Sequence, residues 1–129
     1  MIDSNVFNYV DVLSKAADAA WQRNELLVNN YSNANTPGYK RKDIDFPAQL
    51  RQALGSTRYE DVDSKVARVA DMDLEAKVYT DSAAFSYRLD GNNVDPDTEG
   101  VELASNQIFY NGLRDSINQE FANLKMVIK

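Results

Sequence analysis

Apolar residues recur along the first part of the chain at alternating spacings of four and three. The positions run from residue 6 to residue 34 and hold Val6, Val10, Leu13, Ala17, Ala20, Asn24, Leu27, Tyr31 and Ala34. Apart from Asn24 and the amphipathic Tyr31, they form the a/d seam of a heptad pattern. The pattern predicts a helix of about 30 residues, or ~45 Å, which is longer than a compact domain of this size needs. We therefore expect part of the helix to pack outside its own core, with Ala17 and Ala20 allowing close approach.

A second apolar stripe runs through the last part of the chain. It consists of Leu103, Tyr110, Leu113, Ile117, Phe121, Leu124 and Ile128. Asp95 is a suitable N-cap and Pro96 suits the first helical position, so a helix is predicted from there onwards. Burying seven such side chains is worth roughly 10–20 kcal/mol, which a lone helix forgoes. We expect the two terminal helices to pair in a long coiled-coil-like rod.

The middle of the chain is punctuated where the ends are not. All three prolines and four of the five glycines lie between residues 37 and 100. The sequence therefore predicts a mainly α fold in three parts: an N-terminal helix (1–36), a middle segment (37–94) that is irregular or contains a small β element, and a C-terminal helix (95–129).

Within the middle segment the signals are local. Residues 47–54 predict a short helical turn closed by Gly55. Residues 66–69, 74–80 and 84–89 alternate in polarity, which favours strands or a hairpin, and residues 90–93 (DGNN) predict a turn after them. The acidic runs at 60–63 and 71–73 are interpreted as solvated loop.

Composition excludes several classes of function. The chain has 129 residues, 20 of them acidic and 14 basic, for a net charge of −6, which argues against nucleic acid or an anionic membrane as a main partner. It has no cysteine and no histidine, which excludes disulfides, thiolate zinc sites and imidazole catalysis. No stretch approaches the ~18 apolar residues of a membrane span. The first residues lack the basic and apolar regions of a cleaved signal peptide, which leaves the compartment open.

The charged residues do not form a recognisable catalytic, cofactor or metal site. Asp71, Asp73 and Glu75 alternate, but they lack the glycine and glutamate spacing of a calcium loop. No pair of carboxylates is placed in an apolar cleft by the sequence pattern. The basic run at 40–42 is followed at once by Asp43 and Asp45, which predicts a salt-bridged surface rather than a phosphate site. We predict no catalytic residues, no cofactor and no metal.

The most informative stretch is residues 29–39 (NNYSNANTPGY). Asparagine tolerates left-handed conformations and bonds neighbouring backbone, proline cannot continue a helix, and glycine turns the chain. From these properties alone the stretch is a helix terminus, unusually rich in amides that are able to bond across an interface.

This stretch also resembles the NNIANANTPGY signature of the bacterial flagellar rod, hook and hook-associated axial proteins. Tyr31 and Ser32 stand where that signature has isoleucine and alanine. The continuation at 40–46 (KRKDIDF) and the segment at 90–95 (DGNNVD) narrow the resemblance to the short proximal rod members. The resemblance covers both terminal segments, about two-thirds of the chain, and does not extend to residues 55–85.

The resemblance implies a structural subunit rather than an enzyme, located in the flagellar basal body. It implies self-association, contacts with other rod proteins and the rod–ring adaptor, torque transmission between the membrane ring and the distal rod, and type III export without a cleaved signal peptide. The turn at Thr36, Pro37, Gly38 and Tyr39 would redirect the chain outward. The implied assembly interface comprises Val10, Leu13, Ala17, Ala20, Leu27, Asn29, Asn30, Asn33, Asn35, Leu103, Tyr110, Leu113, Ile117, Phe121 and Leu124.

Three alternatives stay open at this point. Another proximal rod protein of the same family is one. A soluble coiled-coil adaptor that binds a helix through the 6–34 stripe is the second, and it would be a stable monomer or dimer. A carboxylate-based enzyme using the central acidic loops is the third, and it requires a pocket with perturbed acids.

Overall fold

The computed structural model describes residues 4–55, 59–82 and 88–128 of the chain. After a 3₁₀ turn (Ser4–Phe7), the elements in chain order are α1 (Asn8–Ser32), β1 (Lys42–Ile44), α2 (Phe46–Leu54), α3 (Val62–Asp71), β2 (Val78–Thr80) and α4 (Pro96–Ile128). Two long terminal helices flank a middle segment with short helices and a two-stranded sheet. The prediction of a mainly α fold with a small β-containing middle is confirmed. The division into units at 36/37 and 94/95 stays a prediction.

Helices α1 and α4 pair antiparallel, as expected from their apolar stripes. Trp21 packs against Tyr110 with ring centroids 5.9 Å apart, whereas Arg23, further along α1, reaches back to Glu102. At 25 residues α1 is ~37 Å long, and at 33 residues α4 is ~50 Å long. Helix α1 is therefore shorter than the predicted helix of about 30 residues.

The first helix ends early because its backbone finds partners in a turn. The N–H of Asn33 donates to the carbonyls of Asn29 and Asn30, both at 3.1 Å. The N–H of Thr36 then donates to the carbonyl of Asn33 at 3.0 Å. The amide-rich stretch thus closes α1 at Ser32 and begins an ordered turn before Pro37.

Helix α1 is buried on more than the one face that the seam predicts. Val10, Ala20 and Leu27 of the seam are buried, but Tyr31 is largely exposed. Other buried residues, Ala16 among them, lie outside the seam because α1 is a central layer between α4 and the middle segment. The core on the middle-segment side contains Ala16, Ala19, Ile44 and Phe46, with Leu26, Leu50, Leu74, Ala76 and Leu113 packed against it.

Residues 66–69, expected to be a strand, lie inside α3, so that prediction is wrong. Asp61 caps the helix by accepting from the Ser64 N–H at 3.2 Å. The acidic run at 60–63, interpreted as solvated loop, thus supplies the N-cap and the first residues of α3. Val66 and Val69 are three residues apart, which places both on the buried face of the helix. Four residues are too few to separate a helical from an alternating spacing.

A lysine on α1 holds the end of α3. The ammonium group of Lys15 donates to the carbonyls of Val69 at 3.2 Å, Ala70 at 2.6 Å and Met72 at 2.6 Å. The Val69 carbonyl also accepts from the Met72 N–H at 3.2 Å and the Met72 carbonyl from the Leu74 N–H at 3.0 Å. A cation is favourable at this negative end of a helix. The contact fixes α3 on the face of α1 that lies away from α4.

Other parts of the middle segment match their predictions. The helical turn at 47–54 is α2, ending at Gly55 with φ +68°. Of the alternating residues 74–80, the last three form β2. This strand pairs antiparallel with β1 in the register Lys42 with Thr80 and Ile44 with Val78, a partner that the sequence pattern did not indicate. The strand expected at 84–89 falls largely on residues 83–87, outside the described residues.

Candidate assembly site

The fold brings together the segments that carry the resemblance, residues 29–46 and 90–95. Asn30, on the last turn of α1, has no exposed surface. Its Nδ2 donates to the carbonyl of Lys42 at 2.8 Å and to Oε2 of Glu99 at 3.2 Å. Its Oδ1 accepts from the Lys42 N–H at 3.0 Å and the Tyr39 hydroxyl at 3.2 Å. This amide therefore uses its full hydrogen-bonding capacity inside its own chain.

Asn92 closes the turn after α1 from the opposite segment. Its Nδ2 lies 2.9 Å from the carbonyl of Asn33, 3.0 Å from that of Ala34 and 2.9 Å from that of Thr36. Its Oδ1 accepts from the Val94 N–H at 2.7 Å. A single buried side chain therefore ties together three carbonyls of the turn that follows the helix.

Two glycines meet where the segments cross. Gly38 and Gly91 have φ +72° and +78°, a left-handed conformation that side chains other than glycine rarely adopt. The N–H of Gly38 donates to the carbonyl of Asp90 at 2.8 Å, and the Lys40 ammonium to that of Gly91 at 2.6 Å. Thr36, Pro37, Gly38 and Tyr39 thus form a turn held from both sides. Its role in redirecting the chain outward stays a prediction.

Beside these amides lies a network of ion pairs that joins α1, β1 and α4. Arg23 binds Asp43 through Nε at 2.7 Å and Nη2 at 3.0 Å, and its Nη2 also reaches Glu102 at 2.8 Å. Arg41 donates to the buried Glu99 and, at 3.1 Å, to Asp43. The basic run at 40–42 was expected to form a salt-bridged surface. Arg41 does pair with Asp43, but in a site where Asp43 and Glu99 are almost fully buried and Asp81, 3.8 Å from its Nη1, is partly exposed.

Asp43, Arg23 and Arg41 hold their charges at neutral pH. Burial raises the pKa of Asp43, but hydrogen bonds from Arg23 and the Ile44 N–H outweigh it, so that pKa lies below 3.8. The hydrogen bond to Asp43 raises the pKa of Arg23. Burial lowers the pKa of Arg41, and its contacts with Glu99 more than offset this. The pKa values of Asp43, Arg23 and Arg41 are all shifted away from neutral, whereas acid–base catalysis requires a shift towards it.

Sequence reasoning missed five residues of this site: Arg23, Asn92, Glu99, Glu102 and Asn106. A signal existed for two of them. The stripe on α4 continues at the same spacing, with Glu99 four residues before Leu103 and Asn106 three residues after it. Asn106 is buried and donates to the carbonyl of Ala20 at 2.8 Å. A search for apolar residues alone passes over them.

The structure distributes the predicted interface residues between the interior and the surface. Within this chain Val10, Ala20, Leu27 and Asn30 are buried. Asn29 and Asn35 are exposed, and the Asn33 amide accepts from Thr36 and donates to the Asn29 carbonyl. The remaining predicted residues are half-buried, apart from the exposed Phe121: Leu13, Ala17, Leu103, Tyr110, Leu113, Ile117 and Leu124. Their contacts with other chains stay a prediction.

Helix α4 has apolar residues on both of its faces. Opposite the face that packs on α1, Val101 is 69 % and Ile108 is 74 % exposed. Residues 103–113 contain no charged side chain. A helix that is apolar all round is normally buried on all sides. The single chain therefore leaves a helix surface suited to packing against another helix.

A trough of about 290 Å³ opens between α4 and the middle segment. Its floor is formed by alanines of α1, namely Ala16, Ala19 and Ala20, which leave space because their side chains are small. Phe109 of α4 lines one wall. The facing wall carries Ile44, Phe46, Pro47 and Tyr79, and Arg23, Asp43, Asp45 and Asn106 line its polar part.

The described residues provide neither a membrane-spanning helix nor a metal site. No helix there is long and apolar enough to cross a membrane. Residues 4–55, 59–82 and 88–128 also contain no group of three acidic side chains arranged to hold a metal ion.

Comparison with known proteins identifies the family. The chain is 36 % identical over 116 residues to the flagellar basal body rod protein FlgB of Bacillus subtilis, covering 90 % of this chain and 89 % of that protein. The chain belongs to the FlgB family. FlgB of Escherichia coli is 32 % identical, covering 84 % and 83 %, and FlgB of Salmonella typhimurium is 34 % identical, covering 69 % and 70 %. No family model matches. The predicted resemblance to a proximal rod protein is thereby confirmed, and FlgB is the rod protein that the chain resembles.

Proposed function

We propose that this chain is a structural subunit of the bacterial flagellar basal-body rod and polymerises through its two terminal helices. In that position it links the membrane ring to the distal rod and transmits torque. Its role is structural rather than catalytic. FlgB relatives carry the name of basal body rod proteins, and they match over most of the chain.

The observation that carries the proposal is the uncovered apolar surface of α4. Val101 and Ile108 face away from α1 and are mostly exposed. Burying a large apolar side chain is worth ~1.5–3 kcal/mol, so contact of this face with a neighbour favours assembly. A second exposed strip on α1, with Trp21, Val28 and Tyr31 at helical spacing, offers further surface of the same kind.

The partners follow from this role. We expect copies of the same chain, the adjoining rod proteins and the rod–ring adaptor to cover these helices, in the basal body. We expect export through the flagellar type III apparatus without a cleaved signal peptide. The predicted interface amides Asn29 and Asn35 remain exposed and are available to bond with those neighbours.

Deletion of the gene, followed by electron cryotomography of the motors, tests the proposal. We expect membrane rings without a rod and loss of swimming, both restored by the wild-type gene. Rods and swimming that persist after deletion would refute it, and a soluble coiled-coil adaptor would then be the better interpretation.

A pair of variants assigns the effect to the helix surface. Ile108→Asp places a charge on the outward face of α4 without touching the α1 contact, and it should fail to restore rods. Tyr59→Asp is a matched control, because Tyr59 is fully exposed and belongs to neither terminal helix. It should restore swimming. Circular dichroism of both purified variants should show unchanged helix content.

A further inference from the structure

The apolar stripe of α4 continues beyond the part that the rest of the chain covers. Leu113 packs against the core and Leu124 is half-buried. On the same face, on either side of Leu124 in the sequence, Phe121 is 48 % and Ile128 is 81 % exposed. Phe121, Leu124 and Ile128 have spacings of three and four and so lie on one side of the helix. We refer to these three residues as the tail stripe.

The trough between α4 and the middle segment has the complementary shape. Its floor is three alanines and its walls include Phe46, Pro47 and Phe109. A volume of about 290 Å³ corresponds to the liquid volume of roughly ten waters, which is ample for a large side chain. The trough is open and partly polar, and a large apolar side chain that enters it would be covered by the alanine floor and the aromatic walls.

Tail stripe and trough cannot meet within one molecule. Phe109 in the trough wall and Ile128 in the tail stripe belong to the same continuous helix, 19 residues apart, or roughly 28 Å. We propose that the tail stripe of one copy enters the trough of the next copy. This inference rests on the proposed function and names the surfaces through which like subunits meet.

Charge favours this pairing. Lys125 directly follows Leu124 of the tail stripe and is exposed, and Asp45 lines the trough at its exposed edge. Asp43 lines it as well, and its charge is already balanced by Arg23 and Arg41. A cation delivered with the tail would therefore meet Asp45, a carboxylate on the open side of the trough.

The contact has a consequence for symmetry. Two different surfaces meet, so each added copy presents a fresh tail and a fresh trough. Such a head-to-tail contact continues along a series, whereas a self-complementary contact stops at two copies.

Cysteine cross-linking tests the proposal cleanly, because the chain has no cysteine of its own. Tyr79→Cys places a thiol at the trough and Ile128→Cys places one in the tail stripe. A chain carrying both, expressed in cells that lack the wild-type gene, should give a ladder of covalent oligomers after mild oxidation of isolated basal bodies. Each single variant should give no ladder. Tyr59→Cys combined with Ile128→Cys is the matched control, since Tyr59 is more exposed than Tyr79 but lies outside the trough.

The outcomes separate the inference from the proposed function. Rods that form without any cross-link would overturn the inference and leave the rod function standing. Dimers without higher species would also overturn it, in favour of a self-complementary contact. If the Tyr79 variant fails to assemble rods, Pro47→Cys at the same trough replaces it, with the same expected ladder. Absence of any effect of gene deletion on the rod would instead refute the proposed function.

Discussion

The two ends of the α1–α4 pair are held by different chemistry. Where the last turns of α1 meet the first turns of α4, buried polar groups dominate, with Asn30, Arg23 and Asp43 bonded to partners from other elements. Towards the other end, α4 contributes half-buried apolar residues such as Leu113 and Ile117. Directional bonds admit few alternative arrangements, whereas apolar contacts tolerate many.

The difference indicates that the two ends of the helix pair have different roles. Buried ion pairs are weak contributors to net stability, because desolvation offsets their attraction, and their best-attested role is to specify register. We interpret the polar end as the part that determines how α1, β1 and α4 align. The apolar end provides surface whose burial is incomplete in one chain, and this is the surface that a neighbour can complete.

Removing a carboxylate from the polar end should have the largest effect. Asp43→Ala leaves the guanidinium groups of Arg23 and Arg41 partly buried without their shared partner, and we expect a loss of about 3–5 kcal/mol in the free energy of unfolding. Urea denaturation measures it. Asp115→Ala removes an exposed ion pair with Arg114 and should change stability by less than ~1 kcal/mol. Similar losses in the two variants would contradict the comparison.

The amide that closes the turn comes next. Asn92→Ala removes a donor that three carbonyls of the turn share and leaves the buried N–H of Val94 without its side-chain acceptor, and an unsatisfied buried group costs ~1–3 kcal/mol. Asn35→Ala, at an exposed position in the same turn, should stay within ±0.5 kcal/mol. Equal urea midpoints for the two variants would show that the turn does not depend on Asn92.

Acid should weaken the polar end. The pKa of Asp43 is lower in the folded chain than its ordinary 3.8, so its contribution is fully present above that value and is lost as pH falls through the folded pKa. We therefore expect the stability of the wild type to fall more steeply than that of Asp43→Asn between about pH 5 and pH 2. Urea midpoints measured across that range test this. Parallel curves would mean that Asp43 contributes nothing to the acid response.

The smallest effect on the isolated chain is expected at the apolar end. Phe121 is about half exposed, so Phe121→Ala should cost less than ~1 kcal/mol. Leu27→Ala, which truncates a fully buried side chain, should cost ~2–5 kcal/mol. Denaturation of the two purified variants provides the comparison. A large loss for Phe121→Ala would show that the apolar end is complete without a partner.

Much of the fold could be predicted from local patterns. The 4-3 spacing of apolar residues identified both terminal helices, and Asp95 with Pro96 located the start of α4. The strand prediction for residues 66–69 failed because a run of four is compatible with strand and helix alike. The pairing of β1 with β2 was missed because it joins segments 36 residues apart, and nothing local encodes such a partner.

The candidate site was predictable only in part. The stretch 29–39 was singled out for its amides, yet Asn30 points inward and is enclosed by Lys42, Tyr39 and Glu99. The sequence indicates that an amide is available for bonding but not whether its partner belongs to the same chain.

The sequence by itself determined the helical ends, the turn at Pro37 and Gly38, and the absence of thiol and imidazole chemistry, since these depend on residue type and short-range spacing. Only the tertiary structure decided which polar residues are buried and which apolar faces stay open. Burial depends on what packs from distant parts of the chain: Glu99 is enclosed because Arg41 and Asn30 come to it, and Phe121 is exposed because no described part of the chain covers it fully.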